Sequence, residues 1–194
     1  MTQSIVIPTF LILWAFCCQT AHAQQKYEKE SRIKESEVPT QALAFIDSLE
    51  IEGKMRWYLE ESIDHQSVEA KFKLNDQKYS IEFDLEGKLK DVEIQMPWID
   101  LPQVLRDSIS SHLKRDCKRS KVRKVQIQYT GPREVLLSRI KTGIDTDNYV
   151  VRYELVIKCA QPGDVSLYEY LFSDTGQALS RSLIIIKNST NLEY

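Results

Sequence analysis

Glycine and proline are scarce in this chain, six of each in 194 residues, and histidine occurs only three times. Glycine that sparse leaves no phosphate-cradling loop, and none of Gly-x-Ser-x-Gly, Cys-x-x-Cys or a helical pair of histidines occurs. The usual marks of nucleotide-binding proteins, serine hydrolases, dithiol redox proteins and zinc enzymes are therefore missing. The formal net charge is −2, so overall charge does not draw the protein to nucleic acid or other polyanions. Beyond residue 23 there is no apolar run of the ~20 residues a membrane-spanning helix needs.

What is present begins with an export signal. Residues 1–23 carry no Asp, Glu, Lys or Arg, and Ile5 to Cys18 is almost wholly apolar. Ala21-His22-Ala23 is a small-x-small peptidase site, so cleavage is expected after Ala23, giving a periplasmic or secreted protein with no remaining membrane span. Two cysteines lie beyond that point, Cys117 and Cys159. Each falls on the apolar side of its segment, where the pair is either a disulfide or two buried thiols. The halves differ in charge. Residues 24–100 hold 11 basic and 18 acidic residues, a net of −7, and residues 101–194 hold 15 and 10, a net of +5.

The chain then presents one pattern twice. Val38-Pro39 opens a helix with the apolar stripe Ala42, Phe45, Ile46, Leu49. Alternating strands follow, including Val68-Ala70-Phe72-Leu74 and Tyr79-Ile81-Phe83, and Gly87 turns the chain in Phe83-Asp84-Leu85-Glu86-Gly87. Leu101-Pro102 opens a second helix striped by Leu105, Ile109, Leu113 and Cys117. The strands after it end in Phe172-Ser173-Asp174-Thr175-Gly176. The predicted fold class is α+β, with two tandem units, each a helix packed on a four-stranded antiparallel sheet. The predicted layout is a signal peptide at 1–23, a flexible leader at 24–37, and units at 38–98 and 101–188, with an irregular connection at 131–148.

The two helix openers and the two Phe-to-Gly turns resemble the PepSY-like, β-lactamase-inhibitor-like family of small exported proteins. The resemblance implies a BLIP-like sheet whose open face grips a protein, with no catalytic residues and no cofactor. The longer connection at 131–148 and the Ser173-Asp174 variant of the second turn depart from it.

Candidate sites are non-catalytic. In the second copy the residues opposite the core set include Val156, Leu167, Leu171, Ile184 and Ile186, an apolar set on a nominally exposed face. They are the candidate surface for a protein partner, an enzyme it restrains or a second copy of this chain. The alternative is an anion- or glycan-binding module built on Lys114, Arg115, Lys118, Arg119, Lys121, Arg123 and Lys124, a cluster that equally suits the solvated end of a helix. His65 and His112 have no second metal ligand at helical spacing, and Asp145-Thr146-Asp147-Asn148 lacks the glycine and distal glutamate of a calcium loop. No metal, cofactor or catalytic role is assigned.

Overall fold

A proline precedes each α-helix among the described residues. Pro39, Pro102 and Pro132 sit at φ of −57°, −51° and −59° before α1 (Thr40–Asp47), α2 (Gln103–Asp116) and α3 (Arg133–Thr142). Proline fixes φ and lacks the N–H that a first helical turn cannot use, so it starts a helix at no hydrogen-bonding cost. The structure, a computed structural model, describes residues 24–26, 29–62, 65–144 and 147–185. The signal segment 1–23, Ile186 and the first two residues of the 145–148 loop lie outside them.

The strands are β1 (Gln24–Lys26), β2 (Lys29–Ile33), β3 (Arg56–Glu61), β4 (Gln66–Leu74), β5 (Gln77–Phe83), β6 (Leu89–Gln95), β7 (Arg119–Thr130), β8 (Val150–Gln161), β9 (Asp164–Ser173) and β10 (Ala178–Ile184). They form one sheet in the order β1-β10-β9-β8-β7-β6-β5-β4-β3-β2. The nine strands from β2 to β10 are antiparallel to their neighbours, and β1 runs parallel along β10.

This overturns the expectation of two four-stranded units. The strand β6 does not end a first sheet: Val92 to Gln95 pair with Tyr129 to Gln126 of β7, and the Met96 N–H donates to Val125 O at 3.0 Å. An unpaired row of N–H and C=O groups on β6 would have been the alternative, and continuing the sheet satisfies it. Two further segments differ from expectation. The supposed leader contributes β1, β2 and a 3-10 turn at Glu35–Glu37, and the supposed irregular connection contains α3.

Strand order also dictates curvature. The terminal strands β1 and β2 stand at opposite ends of the sheet, which flat would lie about 43 Å apart at ~4.8 Å per strand. Yet Lys26 ends β1 and Lys29 begins β2, three residues on, a reach of at most about 11 Å. The sheet must therefore curl until its ends approach. The three described helices, each about 10–12 Å across with side chains, cannot fit inside a curl of ten strands whose rim is only about 48 Å around. The helices pack on the outside, and the helix-free face is the inner wall.

Two apolar clusters lie under the helices. In one, Ala42, Phe45 and Ile46 of α1 meet Trp57, Val68, Ile81, Phe83 and Val92, with Leu136 and Ile140 of α3 completing it. In the other, Leu105, Ile109 and Leu113 of α2 meet Val125, Leu155, Ile157, Tyr170 and Phe172. Trp57 is core, and Trp98 packs against the second cluster. At the C-terminal end of α2, Cys117 and Cys159 form a disulfide, with Cα atoms 5.4 Å apart.

Candidate functional site: the helix-free face of the sheet

Strand alternation sends every second side chain to the inner wall. Cross-strand register assembles these into rows. One row reads Arg32, Tyr58, Glu69, Glu82, Asp91 and the next Arg56, Lys71, Ser80, Glu93, Gln128, Arg152. Polar residues on a sheet face are ordinarily solvated, but here Ser67, Gln126 and Glu69 are 0%, 3% and 8% exposed. No described helix covers them, and the curl of the sheet accounts for their burial.

The carboxylates at the centre feel that enclosure. Withdrawal from water pushes Asp91 well above the usual carboxylate range, and the charges of Glu82 and Glu154 add to it. Loss of hydration does the same to Glu93, reinforced by Glu154 and Asp91, while Lys124 opposes it. Glu69 is raised chiefly by burial, with Lys71 opposing. Burial pulls down the Lys71 ammonium, but Glu69 and Glu30 outweigh it and hold its pKa above the ordinary lysine value. Its Nζ lies 2.5 Å from Glu30 Oε1 and 2.9 Å from Glu69 Oε2. Two amides steady the acids: Gln126 Nε2 donates to Glu93 Oε2 at 2.7 Å, and Gln128 Nε2 to Asp91 Oδ2 at 3.3 Å.

A sign follows for pH. Groups whose pKa is raised on folding hold protons more tightly in the native state, so their contribution is full below the unfolded pKa and is lost as pH rises through the folded one. Glu61, lowered mainly by the hydrogen bond from Lys29, acts oppositely, and its contribution goes only as pH falls through its reduced value. Melting temperature should therefore rise as pH drops from about 7 to about 5, before ordinary carboxylates protonate. Glu93→Gln should raise it at neutral pH by the equivalent of ~1 kcal/mol and flatten the dependence. Calorimetric scans across that range check both, and a wild-type protein that loses stability steadily on acidification would contradict them.

The apolar set is divided from this acidic centre. Core residues Leu155, Ile157, Tyr170 and Phe172 face the helices, so Val156 and Leu171 project from the inner wall. Leu167 pairs with Lys158, and Ile184 follows Leu183, whose partner is Tyr168, which places both on the same wall. All four are half-buried, with Arg152, Glu154, Lys158 and Glu169 among them.

The basic cluster does not come together as a unit. Lys114 and Arg115 stand on the last turn of α2, outside the sheet, where Arg115 Nη2 contacts His112 Nδ1 at 3.2 Å. Lys118 sits between α2 and β7. Arg119, Lys121 and Lys124 alternate along β7, and Arg123 is the extra residue where the pairing shifts between Val122 and Lys124. Lys124 alone of the seven joins the groove described below. Their acid, Asp116, is instead a structural tie: Tyr170 donates its hydroxyl to Asp116 Oδ2 at 3.0 Å, and Arg181 Nη1 and His112 Nε2 lie 3.4 Å from the same oxygen. Burial first, and the Asp116 charge after it, push the Tyr170 phenol up to about 12, keeping it a neutral donor. His112 packs edge-on to Tyr170 and Phe172. His65 is exposed and pairs with Ser62 Oγ at 2.8 Å. Among the described residues no cluster of three or more potential metal ligands occurs.

Sequence reasoning missed a groove of about 370 Å³ beside the β4–β5 hairpin, lined by Lys54, Arg56, Lys71, Lys73, Lys78 and Lys124 against one acid, Glu52. These residues are dispersed over 71 positions from 54 to 124, so no local charge run marks them. The visible signal was the placement of Lys71, Lys73 and Lys78 about one hairpin.

Comparison with known proteins reveals the fold's relatives. No family model matches the chain, and no curated protein does. Among solved structures, a "putative periplasmic" protein of Bacteroides eggerthii DSM 20697 superposes with a TM-score of 0.51 and 10% identity, over 75% of this chain and 88% of that one. A DUF2874 family protein of Bacteroides uniformis ATCC 8492 gives 0.51 and 11%, over 75% and 89%. A BLIP-like protein of Bacteroides fragilis NCTC 9343 gives 0.43 and 15%, over 80% and 92%. The first two share the fold of this chain. The PepSY-like part of the resemblance has no matching family model behind it. No described helix is long and apolar enough to cross a membrane.

Proposed function

We propose that the protein is a non-catalytic exported binding module that engages an envelope or secreted protein through the inner wall of its curled sheet. One observation carries this reading: Val156, Leu167, Leu171 and Ile184 keep partial exposure on a wall that no described helix covers. Apolar side chains set among charged neighbours make a small hydrophobic centre with a polar rim, the usual anatomy of a recognition surface. Because the wall is recessed, the partner must reach it with a protruding loop or strand. The description of the neighbour from Bacteroides eggerthii as "putative periplasmic" agrees with an exported module.

The test is a pull-down from an envelope fraction with the wild-type protein and a Leu167→Glu/Ile184→Glu variant. Wild type should enrich a defined partner that the variant recovers at least ~10-fold less, the effect of burying charge in a recognition centre. Equal recovery of the same proteins by both would remove the apolar wall from consideration.

A further inference from the structure

The cationic groove beside the β4–β5 hairpin borders the apolar wall on β8, β9 and β10, meeting it where Lys124 pairs with Val156. Its volume of about 370 Å³ falls in the range of small-ligand sites rather than of macromolecular interfaces. Six of its lining residues are cationic and one, Glu52, is acidic. Lys71 is committed to Glu30 and Glu69. Lys54, Arg56 and Lys73 are exposed, and none of the three is ion-paired among the described residues. Lys124 lies deeper and is half-buried, facing the raised carboxyl of Glu93.

A second observation specifies more than charge. Gln126 lines the groove and is 3% exposed, yet its Oε1 accepts no hydrogen bond from the described residues, while its Nε2 is spent on Glu93. A buried acceptor without a donor is costly, so a ligand that offers a hydroxyl there gains that cost back. A bare anion satisfies the lysines but offers Gln126 nothing. A neutral sugar does the reverse. A molecule carrying both an anionic group and adjacent hydroxyls meets both demands in one site.

We infer that this groove is a binding site for a small hydroxylated anion, a sugar phosphate or sugar acid, held by Lys54, Arg56, Lys73 and Lys124 with a hydroxyl donated to Gln126 Oε1. The anionic group sits among the ammonium and guanidinium groups at the mouth, and the sugar lies inward over Gln126. No bond is made or broken.

The experiment is an NMR titration of the full mature chain at low salt with four probes: glucose 6-phosphate, glucuronate, glucose and inorganic phosphate. Glucose 6-phosphate should bind at least ~5-fold tighter than inorganic phosphate, and glucuronate should shift the same groove resonances while glucose shifts none, as expected when a buried acceptor gains its donor. Lys73→Met/Lys124→Met should weaken both sugar anions by ~10-fold or more through lost charge pairing. Gln126→Met should abolish the advantage over phosphate while leaving phosphate binding unchanged. Should Gln126→Met fail to fold, the lysine pair and the four-probe ranking decide alone, Lys73 being exposed and Lys124 half-exposed. Phosphate binding as tightly as glucose 6-phosphate, or lysine variants that bind all probes as wild type does, overturns the assignment. Lys124→Met borders Val156 across the β7–β8 pair, so Lys73→Met alone, on β4, is the variant that keeps this test distinct from that of the apolar wall.

Discussion

Replacing Cys117 and Cys159 together with serine is expected to cost about 4 kcal/mol of stability, from the entropy that a cross-link over 42 residues removes from the unfolded chain. The bond ties the end of α2 to β8, which α2 also meets where Leu105, Ile109 and Leu113 pack with Leu155 and Ile157. Cys117 and Cys159 are 4% and 3% exposed, so serine hydroxyls placed there would also be buried next to apolar neighbours. Urea unfolding should show a lower midpoint for the variant, and reductant should bring wild type to nearly the same value. Unchanged midpoints in both cases would mean that the bond contributes nothing to the folded state.

The second large effect is expected at Gly176, with Gly87 as its counterpart. Both have positive φ, +80° and +85°, and both lie directly beneath a helix. A Cβ at Gly176 would meet Ser108 Cβ at 2.8 Å and Leu105 Cδ1 at 3.0 Å, and one at Gly87 would meet the backbone N of Ala42 at 2.9 Å. Alanine at either site therefore combines a strained backbone with overpacking between turn and helix, roughly 2–4 kcal/mol in all. Gly163 has a similar φ of +80° but nothing within 4 Å of its would-be Cβ, so Gly163→Ala isolates the backbone part at about 1 kcal/mol. Thermal melts of the three variants should rank Gly163→Ala far milder than the other two. A Gly176→Ala protein as stable as Gly163→Ala would refute the contact argument.

These two glycines were readable in the sequence because a turn between alternating strands requires them, and the stripes of α1 and α2 were readable because their apolar spacing is regular. The helix α3 was not. It buries only Leu136 and Ile140, too short a stripe to outweigh its charged residues. Its signal lay at its ends, Pro132 before it and Gly143 at φ +70° after it, the same proline that opens α1 and α2. Strands β1 and β2 escaped because Gln24–Lys26 and Lys29–Ile33 are held by backbone pairing at the ends of the sheet, and a charged run carries no trace of that. The joining of β6 to β7 was equally hidden. Residues 97–100 read as a boundary between units, and alternation within a strand does not specify which neighbour it pairs with.

The candidate site divides in the same way. The side of the sheet on which Val156, Leu167 and Leu171 project follows from alternation within a strand, a local property. The enclosure of Glu93 and Gln126, and the gathering of Lys54 with Lys124, depend on how distant strands align and how far the sheet bends. Alternating charges on β4 and β6 suggest a solvated surface until that bending is known.

The pairing of β1 with β10 has a consequence for how the protein behaves in a crowded solution. Without β1, the outermost strand on that side would be the seven residues of β10, ending in Leu183-Ile184, with backbone groups ready to recruit another molecule. With it, the free edges are a three-residue strand on one side and, on the other, β2, which carries Lys29, Glu30 and Arg32. Short length and charge both discourage intermolecular strand addition, the first step toward fibrils and precipitates, so the opening residues of the described chain act as its guard against self-association.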